Sequence, residues 1–360
     1  MKAAIRTGFL GYTFTYIQDH IKPIFDASSK TNKNQVYIKI KSSSINPVDY
    51  KLPRLVAGQG IGIDFCGTIE EIGNDVVVVD DGGDNNNCEL KVGDDVFGTC
   101  STGSVGGTLA EYCIADSEKI AKVPNGWDSL ECAALPVAYM SALQSLRIGK
   151  VVPGNDNDNE NMKKSVLIIG ASGGCGIAGI QLCKAMGVGR IVGICSNDNI
   201  DFIKKIGVTE AVSYSNEEDL KSFWKSNEAK FDCVYDAATN SGGGEDYWTL
   251  SQSLLKTNDG NGNGDGSGNV VDEYCVGEYV SLNGPVSKWV RVFSGMQKDH
   301  QSIMLMKSNA ADLKLITILL DKVGKKPIIN AMPFTEDGLE DAFKLLKSRR
   351  TKGKIVFDLR

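Results

Sequence analysis

No two cysteines of this sequence stand in a Cys-x-x-Cys pair, and basic residues do not outnumber acidic ones. No apolar run reaches the roughly 18 residues that a membrane-spanning helix needs. Each absence closes a class. The ten cysteines, at 66, 88, 100, 113, 132, 175, 183, 195, 233 and 275, read as reduced thiols packed as small hydrophobes, not as a disulfide framework or metal cluster. The net charge of −6 argues against a nucleic-acid partner, which would want a basic surface. No transmembrane segment is expected. The start, "MKAAIRTGFLGYTF", lacks a long apolar stretch followed by a small-residue cleavage site. The expected location is the cytoplasm, with an organelle as the alternative if a transit peptide is missing.

What is present suits a soluble globular chain: 360 residues, 42% hydrophobic and 23% charged, about right for two domains. Three segments rich in Asn, Asp and Gly, at 80–87, 154–161 and 258–269, are too polar to offset the entropy of ordering and read as surface loop expansions. The first third is strand-rich. "QVYIKIKSSSIN" alternates Val36, Ile38 and Ile40 with other residues, and short apolar pieces punctuated by glycine follow, which predicts a compact β-barrel. From about Ser129 strands and helices alternate, predicting a parallel sheet covered on both faces. The tail, with "DLKLITILLDKVG", "EDGLEDAFKLLKS" and "GKIVFDL", is expected to rejoin the barrel. The class is α/β. The expected domains are 1–128, completed by 311–360, and 129–310.

A glycine-rich stretch, "SVLIIGASGGCGIAGIQLCKAMG", offers two frames for a dinucleotide fingerprint. The literal GxGxxG is Gly174 to Gly179. The inexact one runs from Ala171 to Gly176. A dinucleotide site needs its tight turn at the strand end and a helix N-terminus facing the pyrophosphate. Only the frame from Ala171 meets that need, because "VLIIG" ends at about Gly170. Ser172, Gly173, Gly174 and Cys175 then form the phosphate turn, Gly176 lets the helix pack on the strand, and Gly179 is a packing glycine inside the helix. An NAD site usually places Asp or Glu about 20 residues further on, to hold the ribose 2′-hydroxyl. Here that place holds Cys195, Ser196 and Asn197, neutral groups that favour NADPH, with Tyr214 at the next strand end. Asp198 lies close by, and Lys204 or Lys205 could assist.

"NPVDYK" (46–51), "GIDFCGTIEEIG" (62–73), "GTLAEYC" (107–113), "ALPVAYMSALQSL" (134–146), "GASGGCG" (170–176) and "TKGKIVFDL" (351–359) occur in this order over nearly the whole chain. Together they resemble the zinc-free branch of the medium-chain dehydrogenases/reductases, near the quinone oxidoreductases, the alkenal and enone reductases and the reticulon-4-interacting protein group. The resemblance implies a GroES-like β-barrel catalytic domain, a Rossmann doubly wound domain, and NADPH in a cleft between them. It implies hydride transfer to a small-molecule quinone or enone, and a homodimer joined through an edge strand of the Rossmann sheet. The zinc-binding relatives carry a Gly-His-Glu motif; this chain has Gly62-Ile63-Asp64, and its two histidines, His20 and His300, lie outside these motifs. No metal ligands are expected.

By the same resemblance Asn46 lies beside nicotinamide and substrate, with Tyr50 and Lys51 as candidate donors from the same loop. Ser141 matches a position near the nicotinamide. Ala237 and Leu282, at strand ends, are expected to face it with backbone groups. Lys354 matches a C-terminal lysine that closes over the cofactor, or else stands exposed at a strand start. A different class stays open: some proteins of this fold are cofactor-binding scaffolds or redox sensors without turnover. An enoyl-thioester reductase is a further reading, for which the sequence offers no basic channel.

Overall fold

The computed structural model describes residues 1–7, 13–51, 58–76, 90–100, 107–154, 160–238, 247–256, 277–284, 286–294 and 300–360. The segments at 80–87 and 258–269 and most of 154–161 lie outside the described residues. Fifteen strands are found among the described ones. Seven come first: β1 (Ala3–Thr7), β2 (Thr13–Ile17), β3 (Gln35–Ile45), β4 (Asp64–Ile72), β5 (Asp95–Thr99), β6 (Tyr112–Asp116) and β7 (Ile120–Lys122). Six more follow: β8 (Ser165–Ile169), β9 (Arg190–Cys195), β10 (Glu210–Ser213), β11 (Cys233–Asp236), β12 (Glu278–Ser281) and β13 (Gln301–Ile303). The last two are β14 (Ile329–Pro333) and β15 (Lys354–Asp358).

The chain divides into two units, Met1–Met140 with Lys307–Arg360, and Ser141–Met306. The segment Lys307–Arg360 is grouped with the N-terminal residues and not with the stretch that precedes it. The division falls inside the helix Pro136–Ile148. The reason is local. The short helix Ser129–Ala133 opens on a reciprocal capping box between Asp128 and Glu131 and buries Cys132 and Ala133. Pro136 then restarts the helix, as its missing N–H allows at a first turn. Just after it, the Val137 N–H donates to the Asp64 carboxylate of β4 at 3.0 Å.

In the first unit the main sheet runs β14-β15-β3-β4-β5-β7, and β6 also pairs with β3. β3 organises it. Val36, Ile38 and Ile40 are buried, as their alternation predicts, and pack with Phe65, Ile69, Val96 and Cys113. Beyond Lys41 the strand takes β15 as a new antiparallel neighbour, with Ile45 opposite Ile355, and Ser42 to Ser44 are fully buried. Burial on both faces ends the simple alternation there.

The second unit is a six-stranded parallel sheet in the order β10-β9-β8-β11-β12-β13. Leu167, Ile169, Val192, Ile194, Val234 and Tyr279 form its core. The strand order reverses beside β8, the switch point where open parallel sheets bind ligands. The eight cysteines among the described residues form no disulfide with one another, and seven of them are buried; Cys88 and Cys275 lie outside the described residues. Among the described residues no helix is long and apolar enough to cross a membrane.

Candidate functional site

Two groups of polar residues stand out, one in each unit. In the second unit, β8 ends at Ile169 and the chain turns at Gly170, whose φ of +76° lies in the left-handed region that suits glycine. The helix starts at Gly174, with Gly173 as its N-cap. A glycine cap has no side chain to accept from the first-turn amides, which are left to bind something else. A Cβ on Gly176 would lie 2.2 Å from the Gly170 carbonyl oxygen and 2.7 Å from the Ala171 Cα. A Cβ on Gly173 would meet only the Gly170 oxygen, at 3.5 Å, an ordinary contact. The fold thus demands glycine at 176 and leaves open space beside the Cα of Gly173. Gly179, the end of the literal motif, sits inside the helix against the Tyr235 ring, where a Cβ would come to 3.0 Å.

The other residues expected around a cofactor fall along the same edge of the sheet. Cys195 ends β9 and is buried, Ser196 follows it half-buried, and Asn197 is exposed just beyond. Tyr214 follows β10, 44% exposed, and its N–H donates to the Cys195 carbonyl at 3.0 Å. Ala237 follows β11, where Asp236 accepts from the Ala238 N–H at 2.8 Å and from the Tyr279 hydroxyl. Leu282 follows β12 and donates its N–H to the Asp236 carbonyl at 3.0 Å. Ala171 to Gly176, Cys195 to Asn197, Tyr214, Ala237 and Leu282 thus line the carboxyl ends of five neighbouring strands. A cavity of about 640 Å³ opens beside β9 and β10, lined by Asn197, Ser213, Ser215, Asn216, Glu217 and Glu218. Lys204 and Lys205 are exposed on a helix face and do not line it. Ser141 is buried in the helix Pro136–Ile148.

Sequence reasoning missed one member of this group. Asn199 donates its amide to the Ser172 hydroxyl at 3.1 Å and to the Ser196 hydroxyl at 3.0 Å. Its place before "IDFIKKI" signals a helix cap, and that signal hides the contact.

In the first unit, Asn46 precedes the short helix Pro47–Lys51, whose proline occupies the favoured first position. The Asp49 carboxylate accepts from the Asn46 backbone N–H at 2.7 Å and from the Gly62 N–H at 3.2 Å. Arg6 braces the same turn, donating to the Asp49 and Gly60 carbonyls. The Asn46 side chain is turned elsewhere. Its Nδ2 donates to Asp64 Oδ2 at 2.8 Å, and its Oδ1 accepts from Lys354 Nζ at 2.5 Å. Lys354 Nζ also reaches Asp64 Oδ2 at 3.2 Å and the Ile45 carbonyl at 3.3 Å. Asn46, Asp64 and Lys354 are 3%, 0% and 5% exposed. Lys354 is thus not an exposed strand-start lysine; β15, pairing beside β3, delivers its ammonium to Asn46. Tyr50 packs on the apolar cluster of Ile45, Phe334 and Phe357. Lys51 is exposed, and desolvation, helped by Arg349, holds its ammonium below the usual lysine range. Neither joins the Asn46 network.

Burial pushes the Asp49 carboxyl up to about 6, and nearby Asp64 adds to the rise, while the Asn46 N–H, Lys354 and Arg6 oppose it. The folded chain therefore holds this proton more tightly than the unfolded chain does. The group's contribution to stability is full below about pH 4 and is lost as pH rises to about 6, roughly 3 kcal/mol in all. Urea unfolding at pH 4 and pH 6.5 checks the sign: relative to Asp49→Asn, the unsubstituted chain should lose stability across that window. A difference flat with pH refutes the assignment.

Comparison with known proteins fits this geometry. The alcohol dehydrogenase GroES-like domain matches residues 32–125, and the zinc-binding dehydrogenase domain matches residues 174–253. The trans-enoyl reductase pgmF of Aspergillus terreus is 28% identical, over 93% of this chain and 89% of that protein. The 2-methylene-furan-3-one reductase of Solanum lycopersicum is also 28% identical, over 90% of this chain and 71% of its own length. The Escherichia coli quinone oxidoreductase complexed with NADPH shares the fold, with a TM-score of 0.69 and 16% identity over 99% of this chain and all of that one. Among the described residues, no three His, Cys, Asp or Glu side chains are grouped so as to hold a metal ion.

Proposed function

Because the chain belongs to the medium-chain dehydrogenase/reductase family, in the quinone oxidoreductase and enoyl reductase branch by its distant relatives, we propose that it is an NADPH-dependent, zinc-independent reductase of quinones or α,β-unsaturated carbonyl compounds. The observation that carries this reading is the strand-end turn. Its glycine-capped helix and the open cradle that a Cβ at residue 173 would fill suit a pyrophosphate, and the carboxyl ends of β8, β9, β10, β11 and β12 supply the remaining contacts. Ser196 and Asn197 meet the ribose without a carboxylate. Among the described residues the adjoining cavity is lined by Glu217 and Glu218 and by no basic side chain, so selection of a 2′-phosphate rests on neutral hydrogen-bond donors.

When bound, the dinucleotide supplies a hydride. Reduction of a conjugated acceptor leaves negative charge on its carbonyl oxygen, which needs a donor already in place. Asn46 fits that need. Lys354 and Asp64 fix the amide's orientation from both ends, one N–H is committed to Asp64, and the other is left to donate to the oxyanion. Water supplies the proton. Zinc does not fit the corresponding residues: Asn46 and Ile63 offer no imidazole or thiolate, and Asp64 is already paired with an ammonium. The two curated relatives are named for an enoyl group and a methylene-furanone, both conjugated acceptors. A homodimer through an edge strand of the six-stranded sheet belongs to the same reading.

The test is NADPH oxidation with 1,2-naphthoquinone, 9,10-phenanthrenequinone and an alkenal. Turnover is expected, and Asn46→Ala should lower kcat about a hundredfold with the NADPH dissociation constant unchanged. Binding without turnover across the panel would favour the scaffold alternative. Tighter binding of NADH than of NADPH would sink the cofactor assignment.

A further inference from the structure

We propose that Asn199 points two serine hydroxyls outward as donors to phosphate, and so tunes this chain toward the phosphorylated dinucleotide. The inference rests on the dinucleotide reading above. Ser172 follows β8 in the glycine-rich turn, and Ser196 follows β9. One amide group joins them, at 3.1 and 3.0 Å.

Asn199 is the N-cap of the helix Ile200–Ile206, where an asparagine ordinarily accepts from a first-turn N–H. It makes no such bond. The side chain turns away from its own helix toward the serines. Its Oδ1 is buried and has no hydrogen-bond partner. Reversing the amide would exchange that single idle acceptor for a buried NH2 with two idle hydrogens, so the arrangement with Nδ2 on the serines is the better satisfied.

The consequence lies in the hydroxyls. An amide NH2 has two hydrogens, one for each serine. A hydroxyl has one hydrogen and two lone pairs, and a serine that accepts from Asn199 keeps its hydrogen for another partner. Accepting also polarises the O–H, which strengthens its donation. Phosphate oxygens only accept, so Ser172 is matched to a pyrophosphate oxygen and Ser196 to a 2′-phosphate oxygen. A ribose 2′-hydroxyl can donate or accept and gains less from a fixed donor. The fixed hydroxyls give a means of selecting a phosphate to a pocket lined, among the described residues, by two glutamates and no basic side chain.

The experiment titrates NADPH and NADH, by tryptophan fluorescence or calorimetry, against the unsubstituted chain, Asn199→Asp, Asn199→Ala and Ser196→Ala. In Asn199→Asp a carboxylate accepts from both serines, turns their hydrogens inward and adds negative charge. The NADPH dissociation constant should rise about a hundredfold and that of NADH about tenfold or less, in keeping with hydrogen bonds to charged groups. Asn199→Ala should weaken NADPH about tenfold. After Ser196→Ala, Asn199→Ala should cause no further loss of selectivity. A merely structural role weakens both nucleotides alike, so an unchanged NADPH-to-NADH ratio in Asn199→Asp overturns the inference. If that variant does not fold, an unchanged ratio in Asn199→Ala, with its melt confirmed, does the same. Failure of the unsubstituted chain to bind either nucleotide refutes the dinucleotide reading itself.

Discussion

Gly176→Ala is expected to destabilise the second unit by about 3 kcal/mol or more, while Gly173→Ala, three residues earlier, leaves folding intact and removes cofactor binding. The two glycines belong to one motif and answer to different partners. At 176 the added methyl meets the Gly170 carbonyl and the Ala171 backbone, at 2.2 to 2.9 Å. These atoms belong to the turn that joins β8 to its helix. They cannot rotate away as a side chain does, so the helix must lift off the sheet. At 173 the nearest atom to an added methyl is 3.5 Å away, and the φ of −81° is open to any residue. Loss of a glycine cap costs within about 1 kcal/mol. The methyl does fill the cradle, and NADPH affinity should fall about a hundredfold or more, as expected where backbone must approach phosphate closely. Urea unfolding and NADPH titration of both variants separate the effects. Equal stability loss at the two positions would refute the division of labour.

The second large effect is expected at Asp64. Its carboxylate is fully buried and receives bonds from Ser44 Oγ, Asn46 Nδ2, the Val137 N–H and Lys354 Nζ. Asp64→Leu strands all four donors, one of them an ammonium, and should cost about 3–5 kcal/mol. Lys354→Met strands the carboxylate and should cost a similar amount. Replacing both residues together removes the unpaired charges, so the double variant should be far more stable than the sum of its parts implies. A double-mutant cycle by urea unfolding measures the coupling, and additivity would show that the pair is not a working ion pair. Turnover should remain low in the double variant, because Asn46 then loses both of its anchors.

Much of the architecture was legible in the sequence because it rests on local patterns. Alternation at Val36, Ile38 and Ile40 marked β3, and the apolar run before Gly170 fixed the glycine frame. The expectation for Lys354 was less complete. A lysine that opens a strand reads as exposed or cofactor-facing, and only the pairing of β15 with β3 brings it to Asn46, 308 residues away in sequence. In sequence, Asp64 stands in the Gly62-Ile63-Asp64 stretch that lacks the histidine of the zinc-binding relatives, and Asp49 carries no local signal. Their roles depend on long-range contacts that no window of sequence contains. Asn46 and Asn199 share a further disguise. Both stand immediately before helices, where asparagine is ordinary, and in both the side chain serves a distant partner instead of the helix.

The place of β15 also bears on how the chain is made. The second unit is continuous in sequence, whereas the first closes only when β15 inserts between β14 and β3. Asp64 leaves the ribosome 290 residues before Lys354. Throughout that interval its carboxylate cannot be buried beside its counter-ion, and the flank of β3 that will receive β15 stays open. The order of assembly is therefore inverted with respect to synthesis. The middle of the chain can fold as soon as it emerges, and the unit begun first is finished last.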